Sequence, residues 1–456
     1  MPDTNPSTYD LGNGLRKGGL YDSIFFGCYS ETNTFDIRCR FDLRHKLNRA
    51  RLQKAANAAL KNYPEFAVRP VVYNGKLCYE KNTKPILLCD DDNTMRHFGS
   101  DGENGTNGYL FLFLCGEKHF TFSMYHAQTD AYGMISYVIA VLWNYAKSLF
   151  PPIRFIRTSF FDPYGVRLTD HAFRAMDEQE RYDAVEKFAA DGKLYDPYEG
   201  KEFFPLPPEE HDKEDMSCRL VNLIISNTDF LKKTLELHTS YGPLLAALAA
   251  ESIHDLYDIE DKAIAVVLTS DSRRFFRSKT LSNMAYNTPL TLSKSDIEMP
   301  MESICKKLRT QMLNQLKKSH IRETLKGIVQ VAADVAALGD IDGVGKFLAG
   351  PEGLKQQNER TTIFLTYPGM IETNPLSKLL IKSVTPGMLA MDRAINVYCH
   401  GDDLVIQYSL KSDDLTLPNA LKKTLSKYGF DPVMYDMGRV TQNKLSFDHI
   451  KKITDK

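Results

Sequence analysis

Residues 109 to 150, YLFLFLCGEKHFTFSMYHAQTDAYGMISYVIAVLWNYAKSLF, pass from one structural period to another with little in between. YLFLFLC and HFTFSMYH are two β-rich runs about the short turn Gly116-Glu117-Lys118. In the second run Phe120, Phe122 and Met124 take one face, while His119, Thr121, Ser123 and Tyr125 take the other. From Gly133 the composition turns helical and stays apolar enough for a largely buried helix, until Pro151-Pro152 stops it. Strands and helices mixed in this way place the fold in the α/β or α+β class.

The mixture recurs along the chain. Leu52, Ala55, Ala56, Ala59, Leu60 and Tyr63 fall on one helical stripe and predict a helix over 46–63, ended by Pro64. EFAVRPVVYNGKLCYE follows, with Asn74-Gly75 marking a tight hairpin turn. At 456 residues the chain exceeds the usual single core, so two domains of roughly 200 residues each are expected. Residues 192–217, GKLYDPYEGKEFFPLPPEEHDKEDMS, replace periodicity with prolines and acidic residues and form the best linker candidate. The expected division is an N-terminal lobe at 1–191, this linker, and a C-terminal lobe at 218–456. The second lobe opens on the strand CRLVNLIIS, with Asn227 or Thr228 as N-cap of the next helix. A helix in GPLLAALAAESIHDLY, the strand KAIAVVLTS and a late strand DDLVIQYSL follow.

Composition removes several function classes. The net charge of −1 offers no field to attract nucleic acid or an anionic membrane. No apolar run approaches the 18 or so residues needed to span a bilayer, and the N-terminus lacks the two regions of a secretory signal, so a cytoplasmic protein is expected. The eight cysteines are scattered with no CxxC pair, which argues for reduced thiols and against a zinc or redox motif. GDIDGVGKF at 339–347 lacks both the spacing and the final hydroxyl of a phosphate loop. Residues 302–326 predict one helix with Ile304, Leu308, Met312 and Leu316 on a stripe and basic residues around it. That face is either solvated or a surface for coenzyme A phosphates or an acidic carrier protein.

Four of the 11 histidines have an aspartate at +4, so spacing alone selects nothing: His97 with Asp101, His126 with Asp130, His211 with Asp215, His254 with Asp258. Context does select. His211 lies in the acidic linker, His97 opens a Gly- and Asn-rich loop, and His254 sits near a helix C-terminus, where the dipole favours it without chemistry. Only His126 is held between a strand end and a buried helix, a place that fixes an imidazole and leaves it facing a cleft.

A second segment, IAVVLTSDSRRFFRSKTLSNMAYNTPL at 264–290, completes the pattern. Together with YHAQTDAYG it resembles the chloramphenicol acetyltransferase-like superfamily, which includes nonribosomal peptide synthetase condensation domains, and most closely its alcohol-acetyltransferase-like branch. The blocks follow in order: Pro64-x-Phe66-x-Val68-Arg69, the HHxxxDG motif at Tyr125 to Ala131, Asp271 to Asn283, and more loosely FLTYPGMI at 364–371. The resemblance spans nearly the whole chain.

It implies two α/β lobes arranged as a pseudo-dimer around a central tunnel, with His126 near the middle and a strand and helix of the C-terminal lobe crossing to complete the first sheet. It implies acyl transfer from an acyl-CoA or acyl-carrier-protein thioester to an alcohol or amine, by a monomer, without acyl-enzyme, metal or tightly bound cofactor. His126 would be the general base, its pKa near 6.5 suited to taking and returning a proton. Asp130 would be structural, paired with Arg273, with Arg274 and Arg69 as alternatives. Ser278 and Asn283 would lie near the cleft as substrate or oxyanion donors, with Tyr125 beside them. Two positions depart from the motif: Tyr125 replaces its first histidine and Ala131 its glycine. A catalytically silent binding module, and a metal enzyme using His126 and Asp130 as ligands, are the rival readings.

Overall fold

The computed structural model describes residues 10–12, 14–27, 34–150, 176–189, 198, 201–212, 215–337, 360–370, 379–389, 394–445 and 450–454. Its strands are β1 (Asp10–Gly12), β2 (Leu15–Lys17), β3 (Asp36–Leu43), β4 (Val68–Tyr73), β5 (Lys76–Lys81), β6 (Leu88–Asp90), β7 (His97–Phe98), β8 (Phe111–Cys115), β9 (His119–Tyr125), β10 (Ser217–Ser226), β11 (Ile264–Asp271), β12 (Ala285–Leu292), β13 (Ile363–Met370), β14 (Ile381–Met388), β15 (Ala394–His400), β16 (Asp403–Leu410), β17 (Val433–Thr441), β18 (Lys444–Leu445) and β19 (Lys451–Ile453). The helices are α1 (Leu20–Gly27), α2 (Arg49–Leu60), α3 (Ala131–Leu149), α4 (Glu178–Phe188), α5 (Asn227–Glu236), α6 (Tyr241–His254), α7 (Arg273–Phe276), α8 (Lys294–Ile297), α9 (Met301–Gln315), α10 (Lys318–Ala337) and α11 (Thr416–Lys427).

The first lobe is built on the sheet β14-β3-β9-β8-β6, with β9 antiparallel to both neighbours. Its alternation sorts the aromatic residues to two sides. Phe111, Phe113, Phe120, Phe122 and Met124 pack under α2 and α3 with Leu52, Ala56, Tyr137 and Val141. Leu110, Leu112, Leu114 and Tyr125 occupy the opposite face with Phe26 and Phe98. Both faces are therefore covered, which explains why the strands read as nearly continuous apolar runs. Asn74 and Gly75, with φ of 48° and 77°, make the left-handed turn between β4 and β5 that the Asn-Gly pair predicts.

The second lobe carries the sheet β12-β11-β13-β15-β16-β10-β17, in which β13 runs parallel to β11 and β15 and the other pairs are antiparallel. Helix α6 is apolar on nearly every side and is buried from Pro243 to Ile253, as such a composition requires. The C-terminal half also completes the first lobe. Strand β14 pairs with β3 through Val384 opposite Phe41, β18 pairs with β7, and β19 with β4.

Three local expectations change. The helix after β10 is capped by Ser226, which accepts from the Asp229 amide; Asn227 instead accepts from Tyr241 Oη at 2.8 Å. The basic segment is two helices, because its stripe serves two cores: Ile304 and Leu308 enter the second lobe, while Leu316 joins a separate cluster with Ile321 and Leu325. Within 192–217 the described part lies against the second lobe. Phe203 is buried with Ala263 and Ala265, and Glu209 accepts the Lys411 and Ser412 amides at 2.7 Å each. The 339–347 loop falls outside the described residues. Among the described residues no helix is long and apolar enough to cross a membrane, and the seven described cysteines are free.

Candidate active site

β9 ends at Tyr125 and α3 begins at Ala131, so the five residues between them form a turn at the end of the central strand of the N-terminal sheet. The His126 amide donates to the Phe35 carbonyl at 2.9 Å. Phe35 has φ of 48°, a left-handed conformation that costs a bulky residue about 1–2 kcal/mol, so strain is concentrated beside the imidazole. The Phe25 ring of α1 lies flat on His126, with centroids 4.5 Å apart and planes 14° from parallel. His126 keeps some solvent-accessible surface, but its Nδ1 is buried and makes no well-formed hydrogen bond. Burial lowers its pKa below the ordinary value, against the opposing pull of its own carbonyl and of Asp130. Burial thus favours the neutral form of the ring.

Asp130 has two roles, one per oxygen. Its Oδ1 accepts the Tyr132 and Gly133 amides at 3.1 and 3.4 Å and so caps α3. Its Oδ2 accepts the Met284 amide at 3.0 Å and pairs with Arg273 Nη2 at 2.8 Å, with both side chains buried. Arg273 in turn donates to the Thr280 and Ser282 carbonyls and to Asp271, and stacks over Tyr132 at 4.6 Å. The carboxylate is thus used up on structure and joins the turn to the 271–284 segment. With it so engaged, Asp130 is a poor metal ligand, and no three His, Cys, Asp or Glu side chains converge among the described residues.

The motif's altered glycine has a local explanation. Ala131 is the first helical residue and has no positive φ, so a Cβ is tolerated there. The close approach occurs at Gly133, where a Cβ would stand 2.0 Å from Thr129 Oγ1 and 3.0 Å from the Leu281 carbonyl. Thr129 Oγ1 donates to that same carbonyl.

The other candidates are distributed unevenly. Of the three arginines, Arg273 meets Asp130; Arg69 pairs with Glu80 and Asp101, and Arg274 is exposed. Asn283 does reach the turn, but its amide nitrogen donates to the His126 and Ala127 carbonyls at 3.0 and 3.2 Å, which makes it a brace for the loop. Ser278 donates to Glu180 of α4 at 2.7 Å and ties that helix down instead of facing the turn. Tyr125 is fully buried with its hydroxyl on the Phe25 carbonyl at 2.6 Å; it holds α1 over the imidazole. Phe25 itself gave no signal in the sequence, since an aromatic residue 101 positions before the histidine carries no spacing to read.

Beside the turn lies a small cavity of about 20 Å³, lined by Arg16, Asp22, Glu65, Gln128, Arg181 and Tyr182, with Val68, Tyr79, Leu281 and Ser282 completing the wall.

No family model and no curated protein sequence matches the chain. Solved structures do match in fold. Polyketide synthase associated protein 5 from Mycobacterium tuberculosis is 13% identical with a TM-score of 0.59, covering 91% of this chain and 99% of its own. TRI101 of F. graminearum, complexed with coenzyme A and deoxynivalenol, is 9% identical with a TM-score of 0.58 over 90% and 98% of the two chains. A mutant starter condensation domain of rhizomide synthetase RzmA, in complex with C8-CoA and Leu-SNAC, gives 10% and 0.54 over 91% and 93%. The chain therefore has the two-lobed fold of the chloramphenicol acetyltransferase-like acyltransferases and condensation domains.

Proposed function

We propose that this protein is an acyltransferase that moves an acyl group from an acyl-CoA or acyl-carrier-protein thioester to the hydroxyl or amine of a small acceptor, with His126 as general base. The observation that carries this reading is the His126 turn: a neutral imidazole at a strand end, on a loop braced by the Asp130–Arg273 pair and by Asn283. The fold supports it, since the TRI101 and RzmA structures contain coenzyme A or C8-CoA.

The geometry supports the following chemistry. The imidazole nitrogen takes the acceptor's proton as its oxygen or nitrogen attacks the thioester carbonyl. The tetrahedral intermediate then collapses, the C–S bond breaks, and the imidazolium returns the proton to the departing thiolate. Phe25 does not obstruct this, because a proton moves in the plane of the imidazole and Phe25 covers only a face of it. Asp130 does not touch the reacting atoms; with Arg273 it keeps the turn in place.

The test is thiol release from a panel of acyl-CoA donors with mixed alcohol and amine acceptors, on wild type and His126→Ala. Acceptor-dependent release falling by about 10²- to 10⁴-fold in the variant is expected for a general base. Equal release from both proteins would instead favour the catalytically silent binding module.

A further inference from the structure

The backbone of the motif turn is held from several sides, but the imidazole it carries is not. The His126 amide donates to the Phe35 carbonyl, the His126 carbonyl accepts from Asn283, and Gln128 Nε2 reaches the Glu65 carbonyl at 3.3 Å. The ring itself has a buried Nδ1 with no well-formed hydrogen bond. A torsion between an sp³ and an sp² carbon has broad wells, so without such a bond the plane of the ring is set by what packs against it.

What packs against it is a column of rings. Tyr21 and Phe25 stand one turn apart on α1, with centroids 5.9 Å apart and planes at 24°, and Phe25 continues the column onto His126 at 4.5 Å and 14°. Phe35 meets Phe25 edge-on, at 5.2 Å and 78°. The two ends of the column are tied to different parts of the molecule. Tyr21 Oη donates to the Ala285 carbonyl of β12, in the second lobe, at 2.5 Å. Tyr125 Oη, on the strand that leads into His126, donates to the Phe25 carbonyl at 2.6 Å. At the start of the helix, Asp183 of α4 accepts the Leu20 amide at 2.9 Å and Asp22 accepts the Gly19 amide at 3.0 Å. A helix of eight residues is too short to stand by itself, so these contacts decide where Phe25 sits.

We propose that Phe25 is a positioning residue for His126: seated by Tyr125 and Tyr21, its ring fixes the plane of the imidazole and keeps water off one of its faces. The catalytic consequence rests on the acyl-transfer reading above; the placement of the imidazole does not. Tyr125 stands where the motif has its first histidine, and its hydroxyl is what ties α1 to the motif strand.

Burial is the largest influence that lowers the His126 pKa, so water admitted to the uncovered face should raise it. Other groups around the ring also bear on a titration. Asp130, paired with Arg273, lies on the same turn. Helix α1 presents Tyr21, kept neutral by burial, and Asp22, pushed up to about 7 chiefly by burial. A rate profile alone would mix Asp22 with His126, so the imidazole has to be followed by its own signal.

The test is an NMR titration of the histidine Cε1 protons in the ¹³C-histidine-labelled full chain, with the His126 signal assigned by its absence from His126→Ala. The thiol-release assay gives kcat and KM alongside. Phe25→Leu keeps apolar bulk but loses the flat ring; it should move the His126 midpoint up, towards the ordinary value of about 6.5. It should also lower kcat by up to about 10²-fold while KM changes far less. Phe25→Tyr, which keeps the ring, should retain the wild-type midpoint. Tyr125→Phe, which removes only the hydroxyl, should shift the midpoint in the same direction as Phe25→Leu by a smaller amount, and it carries the test if circular dichroism shows the leucine variant unfolded. A midpoint that stays or falls in the folded variants overturns the proposal, and so do equal shifts in Phe25→Leu and Phe25→Tyr, because the flat ring would then not be what matters. A shifted midpoint without any acyl transfer would leave the placement standing and remove the acyl-transfer reading; transfer with an unshifted midpoint would do the reverse.

Discussion

His126–Asp130 and His254–Asp258 have identical spacing and opposite surroundings. The first pair spans the turn from β9 into α3, where Asp130 is buried and bonded to two helix amides, the Met284 amide and Arg273. The second follows the C-terminus of α6, where Asp258 is 78% exposed and meets Lys294 at 3.4 Å. Four residues between a histidine and an aspartate thus mean little in themselves. What differs is whether the segment joins two elements that are both packed, because only then does the aspartate's partner set decide where the histidine stands.

The comparison breaks most directly at the histidines. His126→Ala should lower kcat/KM by about 10²- to 10⁴-fold, while His254→Ala should be indistinguishable from wild type in the same thiol-release assay. A comparable loss from His254→Ala would mean that the surroundings had been misjudged.

The aspartates give the next largest contrast, in stability. Asp130→Ala removes the buried partner of Arg273 and leaves it only the part-exposed Asp271 as counter-charge; breaking a buried pair typically costs about 3–5 kcal/mol. Asp258→Ala should leave the denaturant midpoint unchanged, as for most exposed pairs. Removing the guanidinium as well, in Asp130→Ala/Arg273→Met, should recover part of the loss, because the penalty lies in the stranded charge and not in the missing bond. Equal costs for the single and double variants would argue that the helix cap dominates.

The difference also marks how far the sequence could be read. The β9–α3 connection was legible because strand alternation ran up to His126 and helical composition began at Gly133, two residues inside the observed α3, and alternation assigned Tyr125 and Phe122 to opposite faces. Arg273 was legible only through resemblance, since nothing local ties residue 273 to 130. Phe25 and Glu65 were not legible at all: one belongs to a short N-terminal helix and the other to a 3₁₀ turn, and both reach the site by tertiary packing. The crossing of β14 into the first sheet was, like Arg273, expected only through resemblance, because a register between residues 381–388 and 37–43 leaves no trace in either strand. The split of the basic segment was missed for a related reason: an unbroken apolar stripe does not say that its two ends face different cores.

Glycines sharpen the contrast at smaller scale. Gly133→Ala sets a Cβ against Thr129 Oγ1 and a backbone carbonyl, so overpacking of about 1–3 kcal/mol is expected, with loss of activity as the turn shifts. Gly242 in α6 meets only side-chain ends, Leu268 Cδ1 at 3.0 Å and Met312 Sδ at 3.8 Å, which can move, so Gly242→Ala should cost much less. Thermal or denaturant unfolding of the two variants side by side decides whether the close approach is specific to the His126 turn.

The smallest effect is the most specific to mechanism. If neutral His126 accepts the proton, kcat/KM must fall on the acid side as the imidazole becomes charged. Burial is the largest influence on that group and lowers its pKa, so the midpoint of the acid limb should lie below the ordinary value of 6.5. Asp130 acts in the opposite sense, since its negative charge favours the imidazolium. Asp130→Asn, which keeps the carbonyl oxygen for the helix cap but removes the charge, should therefore move the limb to still lower pH even as it lowers the overall rate. A purely structural role for Asp130 would reduce the rate and leave the midpoint where it was. A limb that moved upward would mean that burial of His126 had been relieved by a loosened turn, so that the carboxylate governs the solvent around the imidazole more than its charge.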